Sequence, residues 1–173
     1  MKRILFTFLI GLSLACNSES APIPKVDLPQ DLKTEKNRSD LVQYEVIRVI
    51  DGDTVELKNG ERLRYNDIDT PETVHPSKPI ECFGPEASAK NEELVQGEII
   101  LVEFGNPKKD RYGRLLGYVY VDDLFVNAEL VKGGYAQVNS YGNPGSKIDK
   151  LLDIEKDAKL KMTGLWGVCL NSR

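Results

Sequence analysis

A small closed β-barrel with helices attached is the fold class this sequence predicts, and three observations predict it. Five short segments between residues 42 and 126 are rich in β-branched and aromatic residues and are separated by turn formers. A helix-forming stretch falls between the third and fourth of them. A longer amphipathic stretch closes the chain. The 173 residues, 40% apolar and 29% charged, make one ordinary domain with a real core, plus appendages. Neither an internal repeat nor a second domain is visible.

The N-terminus stands outside that domain. Lys2-Arg3 precede an apolar run, Ile4 to Ala15, of secretory-leader length. The run falls short of the about 20 residues a spanning helix needs. Ser13-Leu14-Ala15 offers small residues at the usual cleavage spacing, and Cys16 follows directly. Residues 1–15 therefore read as a signal peptide, with Cys16 the first mature residue. A cysteine in that place resembles a bacterial lipoprotein signal, in which the new N-terminal cysteine is lipidated and held at a membrane. Ser13 stands where such signals carry leucine, so an ordinary secreted or periplasmic product is the alternative. Residues 16–41, with Pro22, Pro24 and Pro29 and no apolar periodicity, read as a flexible linker.

The folded domain is expected over residues 42–171. Val42 to Ile50 reads as a first strand that Asp51-Gly52 breaks. Thr54 to Lys58 alternates again, Asn59-Gly60 signals a hairpin, and Glu61 to Asp67 returns as a third strand. Prolines 71, 76 and 79 make the next stretch a loop. Gly84-Pro85-Glu86 opens a helix, with proline in its first turn and an acid at the positive end of its dipole. Ala87, Leu94 and Val95 are its expected inner stripe, and Gly97 ends it.

Glu98 to Phe104 is a fourth strand, followed by a polar loop, Gly105 to Arg111, with Lys108, Lys109 and Arg111. Arg114 to Val121 is a fifth, and Asp122-Asp123 turn it back through Leu124-Phe125-Val126. Asn127 is the expected N-cap of a short helix that Gly133-Gly134 terminates. The last helix runs from about Lys147 to Met162, with Ile148, Leu151, Leu152, Ala158 and Met162 on its inner side. This order fits an OB-fold, an architecture used for oligonucleotides and oligosaccharides.

Charge narrows the function classes. The net charge is −4, and loss of Lys2 and Arg3 with the leader takes it to −6. Non-specific polyanion affinity comes mainly from lysine and arginine neutralising phosphates, so the charge argues against a tight sequence-independent nucleic-acid binder. It does not argue against an enzyme with a local cationic site that releases its product. Cys82 and Cys169 form an even pair within the folded region, which reads as one disulfide in an oxidising compartment. Two buried free thiols are the alternative. Their spacing and the single histidine, His75, exclude a zinc cluster.

The stretch from Asp51 to Glu72 carries the chemistry. Asp51-Gly52-Asp53 is not an EF-hand loop, because Glu56 stands where glycine is needed and Arg62 where a bidentate Glu is needed. Alone, it reads as a turn. The hairpin, however, returns Asp69 toward Asp53, and two carboxylates meeting there repel unless a cation joins them. Ca²⁺ accepts six to eight such oxygen ligands. Arg64, on the connecting strand, points at the anion that a cation attracts; a surface ion pair with Glu61 or Asp67 is its alternative. Arg114, in a basic and aromatic loop, reads either as a phosphate contact or as a solvated residue.

Asp51-Gly52-Asp53-Thr54, Arg64, Asp69-Thr70-Pro71-Glu72, Gly84-Pro85-Glu86-Ala87-Ser88, Tyr112-Gly113-Arg114 and Val126-Asn127 come in the order and spacing of a known family. Through them residues 42 to 169 resemble the staphylococcal nuclease (thermonuclease) family. The resemblance implies an OB-fold with three helices and Ca²⁺-dependent hydrolysis of DNA and RNA at the 5′-O–P bond, leaving 3′-phosphates. It implies Asp53, Asp69 and the Thr70 carbonyl as Ca²⁺ ligands, with Asp51 behind them. Arg64 and Arg114 match the two arginines that hold the phosphate, and Glu72 the glutamate that orients the attacking water. Tyr112 falls beside the nucleotide's terminal phosphate, with Arg111 as a further substrate contact. The cysteine pair resembles one found in exported relatives.

The sequence departs from the family pattern at Tyr65-Asn66-Asp67, where Asp67 adds a negative charge near the site. It departs again at Ser140 and Gly142, where two tyrosines are expected and Tyr141 lies between. A nuclease-like module that binds without cleaving is the alternative function. Such modules lack the arginines or ligands, and here all are present.

Overall fold

The β-branched run from Val42 forms strand β1 (Val42–Val49), and Asp51-Gly52-Asp53 turns it into β2 (Thr54–Leu57). The computed structural model describes residues 41–74, 77, 79–139 and 144–169. The leader, the linker up to residue 40, Cys16, His75, Ser140, Tyr141 and Gly142 lie outside the described residues. β2 returns through Asn59-Gly60 into β3 (Arg62–Tyr65), with Gly60 at a left-handed φ of 84°.

β3 is shorter than the Glu61 to Asp67 strand expected. Asp67 takes a left-handed φ of 58° and ends it. The chain then changes partner: β4 (Ile68–Asp69) runs antiparallel to β8 (Gln137–Val138).

Two long strands close the barrel, β5 (Ile99–Lys109) and β6 (Leu115–Val121). The order is β3-β2-β1-β5-β6, and a parallel β3–β6 pairing shuts the sheet on itself. This is the predicted five-stranded barrel of the OB type. Its interior is filled by the inward residues of each strand, among them Val46, Leu57, Leu63, Val102 and Val119, each at most 1% exposed. β5 runs five residues beyond the expected strand end at Phe104. The segment expected as a polar loop stays extended because β5 shifts register between Phe104 and Lys109 and pairs there with β6. β7 (Leu124–Phe125) adds an edge to β6.

Helix α1 (Gly84–Val95) follows β4, α2 (Val126–Lys132) follows β7, and α3 (Ile148–Leu160) and the short α4 (Leu165–Val168) close the chain. Three helix details differ from expectation. α1 buries Gly84, Ala87, Asn91 and Val95, so a polar residue shares the inner stripe. α2 starts after Phe125, and Asn127 sits inside it. Its buried side chain accepts from the Val119 N–H at 2.9 Å and donates to the Asn66 carbonyl at 2.9 Å. α3 buries Leu151, Glu155 and Ala158, whereas Leu152 and Met162 are nearly half exposed. Glu155 takes the inner place because one carboxylate oxygen accepts from the Val138 N–H at 2.9 Å and Lys159 neutralises the other at 2.8 Å.

Cys82 and Cys169 are bonded, with Cα atoms 5.9 Å apart across a sequence separation of 87. The bridge ties the segment before α1 to the end of α4. Among the described residues no helix is long and apolar enough to cross a membrane.

Candidate active site

The β1–β2 turn packs directly on the β4 end because Gly52 has no side chain. A Cβ at Gly52 would lie 2.6 Å from the Thr70 hydroxyl, so only glycine permits this approach. Asp51 builds the turn by accepting the Asp53 N–H on its carboxylate at 3.0 Å. Asp53 thereby points inward and is 4% exposed. One of its oxygens takes the Thr54 hydroxyl at 2.9 Å, and the other takes the Thr70 N–H at 3.0 Å and the Thr70 hydroxyl at 3.3 Å.

Arg64 joins the two acidic clusters. From the middle of the hairpin its Nη2 reaches Asp69 at 2.6 Å and Asp53 at 3.3 Å. Nη1 donates to the Ile68 carbonyl at 3.0 Å. The partners are thus Asp53 and Asp69, not Glu61 or Asp67. Arg64 is 8% exposed, so a planar, always-charged group is fixed at the floor of the site.

Arg64 thus bridges the carboxylates of Asp53 and Asp69, and Asp51 lies behind them, bonded to the Asp53 N–H. Burial first, then the Asp53 charge, pushes the Asp51 carboxyl up to about 7. An all-oxygen, acid-rich donor set of this kind fits a hard divalent cation, Ca²⁺ among them. Among the described residues no three His, Cys, Asp or Glu side chains form a ready-made cage. The carboxylates of Asp53 and Asp69 and the Thr70 carbonyl would therefore share a cation with water and substrate.

Opposite Arg64 stands the turn from β5 to β6. Asp110 organises it, accepting the Tyr112 N–H at 2.9 Å and the Arg114 N–H at 3.0 Å on one oxygen. Its other oxygen takes Arg114 Nε at 2.7 Å. Burial works against the charge on Asp110, but the Arg114 guanidinium and these N–H donors outweigh it and hold the carboxyl below the usual range. Asp110 grips Arg114 through Nε, and Arg114 lines the cleft that Arg64 also lines.

Arg64, Asp69, Glu72, Arg114, Arg111 and Tyr112 line one cleft of about 600 Å³. The Glu72 carboxylate is fixed there by its own loop, accepting the Thr73 N–H at 2.9 Å and the Val74 N–H at 2.8 Å. The Tyr112 ring is 69% exposed at the cleft mouth. Arg111 lies 4.8 Å and Arg114 5.6 Å from its centroid, and Arg111 donates to its hydroxyl at 2.7 Å. Asp67 also lines the cleft, yet its carboxylate is bonded to the Tyr118 hydroxyl and the Gly145 N–H and is 4% exposed.

Two contributors escape a motif-based reading. Asn91 of α1 donates to the Asp51 carbonyl at 2.9 Å and accepts the Tyr65 hydroxyl at 2.9 Å, clamping the acidic turn to the barrel. Its signal was a polar residue at helical spacing from Ala87 and Val95. Asp110 is the second, and its signal was the Asp-Arg-Tyr-Gly sequence, which favours an Asx turn.

A family model described as "Staphylococcal nuclease homologue" matches residues 62–168. The chain is 40% identical over 136 residues to "Endonuclease YncB" of Bacillus subtilis (strain 168), covering 76% of this chain and 64% of that protein. It is 32% identical over 166 residues to "Thermonuclease" of Staphylococcus hyicus, covering 94% of each. It is 38% identical over 127 residues to "Thermonuclease" of Staphylococcus intermedius, covering 71% of this chain and 75% of that one. The chain thus spans just under two thirds of the Bacillus protein and nearly all of the first staphylococcal one.

Proposed function

The chain belongs to the staphylococcal nuclease homologue family, and on that premise we propose that it is a calcium-dependent nuclease. It hydrolyses phosphodiester bonds of DNA and RNA at the 5′-O–P bond and leaves 3′-phosphates. One observation carries the reading: Arg64 and Arg114, the latter held at Nε by Asp110, line the same cleft as Asp69 and Glu72.

The residues divide the work as follows. Arg64 and Arg114 hold the non-bridging oxygens of the scissile phosphate, which planar guanidinium groups do bidentately. Their charge stabilises the extra negative charge of the transition state. Glu72, oriented by the Thr73 and Val74 N–H groups, positions a water and accepts its proton as the oxygen attacks phosphorus. The P–O5′ bond breaks, and the 5′-oxygen leaves with a proton from solvent. Held by Asp53, Asp69 and the Thr70 carbonyl, with Asp51 behind, Ca²⁺ would supply Lewis-acid polarisation of the phosphate. The protein acts outside the cytoplasm, tethered through a lipid on Cys16 or secreted, a reading supported by the apolar leader and the Cys82–Cys169 bond.

The purified protein is to be incubated with DNA and with RNA in Ca²⁺, then in EGTA. Cleavage of both polymers that EGTA abolishes, and excess Ca²⁺ restores, is the expected result, with phosphate on the 3′ ends. Inertness toward both polymers in Ca²⁺ would leave a binding module without catalysis. Mass spectrometry of the mature N-terminus decides the anchor, since an unmodified Cys16 excludes the lipid.

A further inference from the structure

The cleft does not end at Arg114. Lys109, the last residue of β5, pairs across the ladder with Leu115, and the Asp110 N–H closes the turn on the Arg114 carbonyl at 2.9 Å. Lys109 therefore sits beside Arg114 and lines the same cleft. Its ammonium pairs with Glu61 on the β2–β3 turn, at 2.9 Å. Next to it Lys108 lies 3.9 Å from the centre of the Phe104 ring. Phe104 meets Tyr44 edge to face, with centroids 6.3 Å apart. Burial and the Glu61 charge raise the Tyr44 hydroxyl and Lys109 opposes them, which sets Tyr44 beside the ion pair. Two half-buried rings, Tyr44 and Phe104, thus link Lys109 at the cleft to Lys108 beyond them.

We propose that Lys109, Lys108, Phe104 and Tyr44 form a strip that carries the nucleic-acid strand onward from the cleft, with Lys109 holding the phosphate next to the reacting one. The proposal rests on the nuclease reading of the cleft. Lysines neutralise backbone phosphates without reading sequence, and aromatic rings stack with any base. Glu61 is the resting partner that Lys109 exchanges for phosphate. The exchange costs little, because the pair is 51% and 37% exposed and such pairs contribute little to stability. A carboxylate competing for that lysine also keeps binding weak enough for product to leave, in a chain whose net charge is −4.

The test measures binding of a labelled single-stranded oligonucleotide by anisotropy in EGTA across a salt series, and steady-state cleavage in Ca²⁺. Lys108→Ala/Lys109→Ala should weaken binding by about tenfold. It should also make the slope of log K against log salt shallower by about 1.4, two contacts at about 0.7 each for a single strand. Lys132→Ala removes an exposed charge from α2, outside the cleft lining, and should leave the slope unchanged. Glu61→Gln should tighten binding several-fold. In cleavage, Lys109→Ala should raise KM and keep kcat within about twofold, since its phosphate is not the one that reacts.

A double variant with the slope of Lys132→Ala overturns the strip, as does a fall in kcat with the slope unchanged. Weaker binding by Glu61→Gln overturns the exchange with Glu61. If the unsubstituted protein neither binds nor cleaves, the nuclease reading fails and takes the strip with it. If it cleaves while the lysine variants behave like Lys132→Ala, the strip alone fails.

Discussion

Arg114 owes its usefulness to a neighbour. A solvated arginine loses rotamer freedom when it grips an anion, but Asp110 holds Nε at 2.7 Å before any substrate arrives. Arg114→Ala should lower kcat by about 10²–10³-fold, the range for one preorganised donor. Arg114 is a partly exposed turn residue, so circular dichroism and the melting temperature should change little. Wild-type-like rates would remove Arg114 from the reaction. Asp110→Asn keeps the size of the side chain but weakens the grip, so kcat should fall by about tenfold with Arg114 intact. This substitution also has a pH signature. The folded-state carboxyl lies below its unfolded value, so its contribution is present above about pH 4, the ordinary aspartate range. It is lost as pH falls through the folded value. Wild type should therefore be the more stable at pH 7, and the two proteins should converge under strong acid. A constant gap in denaturant midpoint down to pH 2 would contradict the assignment.

At the scale of elements, the corner between β3 and β4 shows where sequence legibility stops. The hairpin from Thr54 to Asp69 was readable because Asn59-Gly60 fixes the turn and alternating residues fix the strands. That Asp53 and Asp69 meet followed from the hairpin alone. Asp67 was readable only as an added charge beside the site, since nothing local shows that Tyr118 and Gly145, far away in the chain, supply its partners. Its carbonyl also accepts the Asn139 N–H at 3.0 Å. Asp67 therefore fastens residues 139 and 145 to the barrel corner, and its role is anchoring. Asp67→Ala leaves the Tyr118 hydroxyl and Gly145 N–H without this acceptor and puts a Cβ-bearing residue without a local hydrogen bond at φ 58°. A loss of about 2–4 kcal/mol in urea titration is expected, with Asp67→Asn losing less than half as much. A larger loss in the asparagine variant would mean that the negative charge itself is required. Asn127 was misjudged, and Glu155 passed over, for the same reason. Both are polar residues on inner helix faces, tolerated because distant backbone groups pair with them.

Across the whole molecule, the barrel was legible and the helical cover less so. Strand alternation and turn chemistry are local, and they located all five barrel strands to within a few residues, apart from the longer run of β5. Helix packing depends on what lies opposite, so the inner faces of α1 and α3 were only partly assigned. The bond between Cys82 and Cys169 joins these two levels, holding α4 against the segment that leads from Glu72 into α1. A bridge across a separation of 87 residues removes much chain entropy from the unfolded state, and such bridges typically contribute about 2–4 kcal/mol. Cys82→Ser/Cys169→Ser should accordingly lower Tm by roughly 5–15 °C for a domain of this size. Dithiothreitol should do the same to the unsubstituted protein and nothing to the double variant. Activity well below Tm should persist, because Arg64, Asp53, Asp69 and Arg114 are held by the barrel and its turns, and neither cysteine touches them. An unchanged Tm in both arms would mean that the thiols remain free in solution. Lost activity at a temperature where circular dichroism still shows the fold would mean that the bridge also positions Glu72, whose loop it holds.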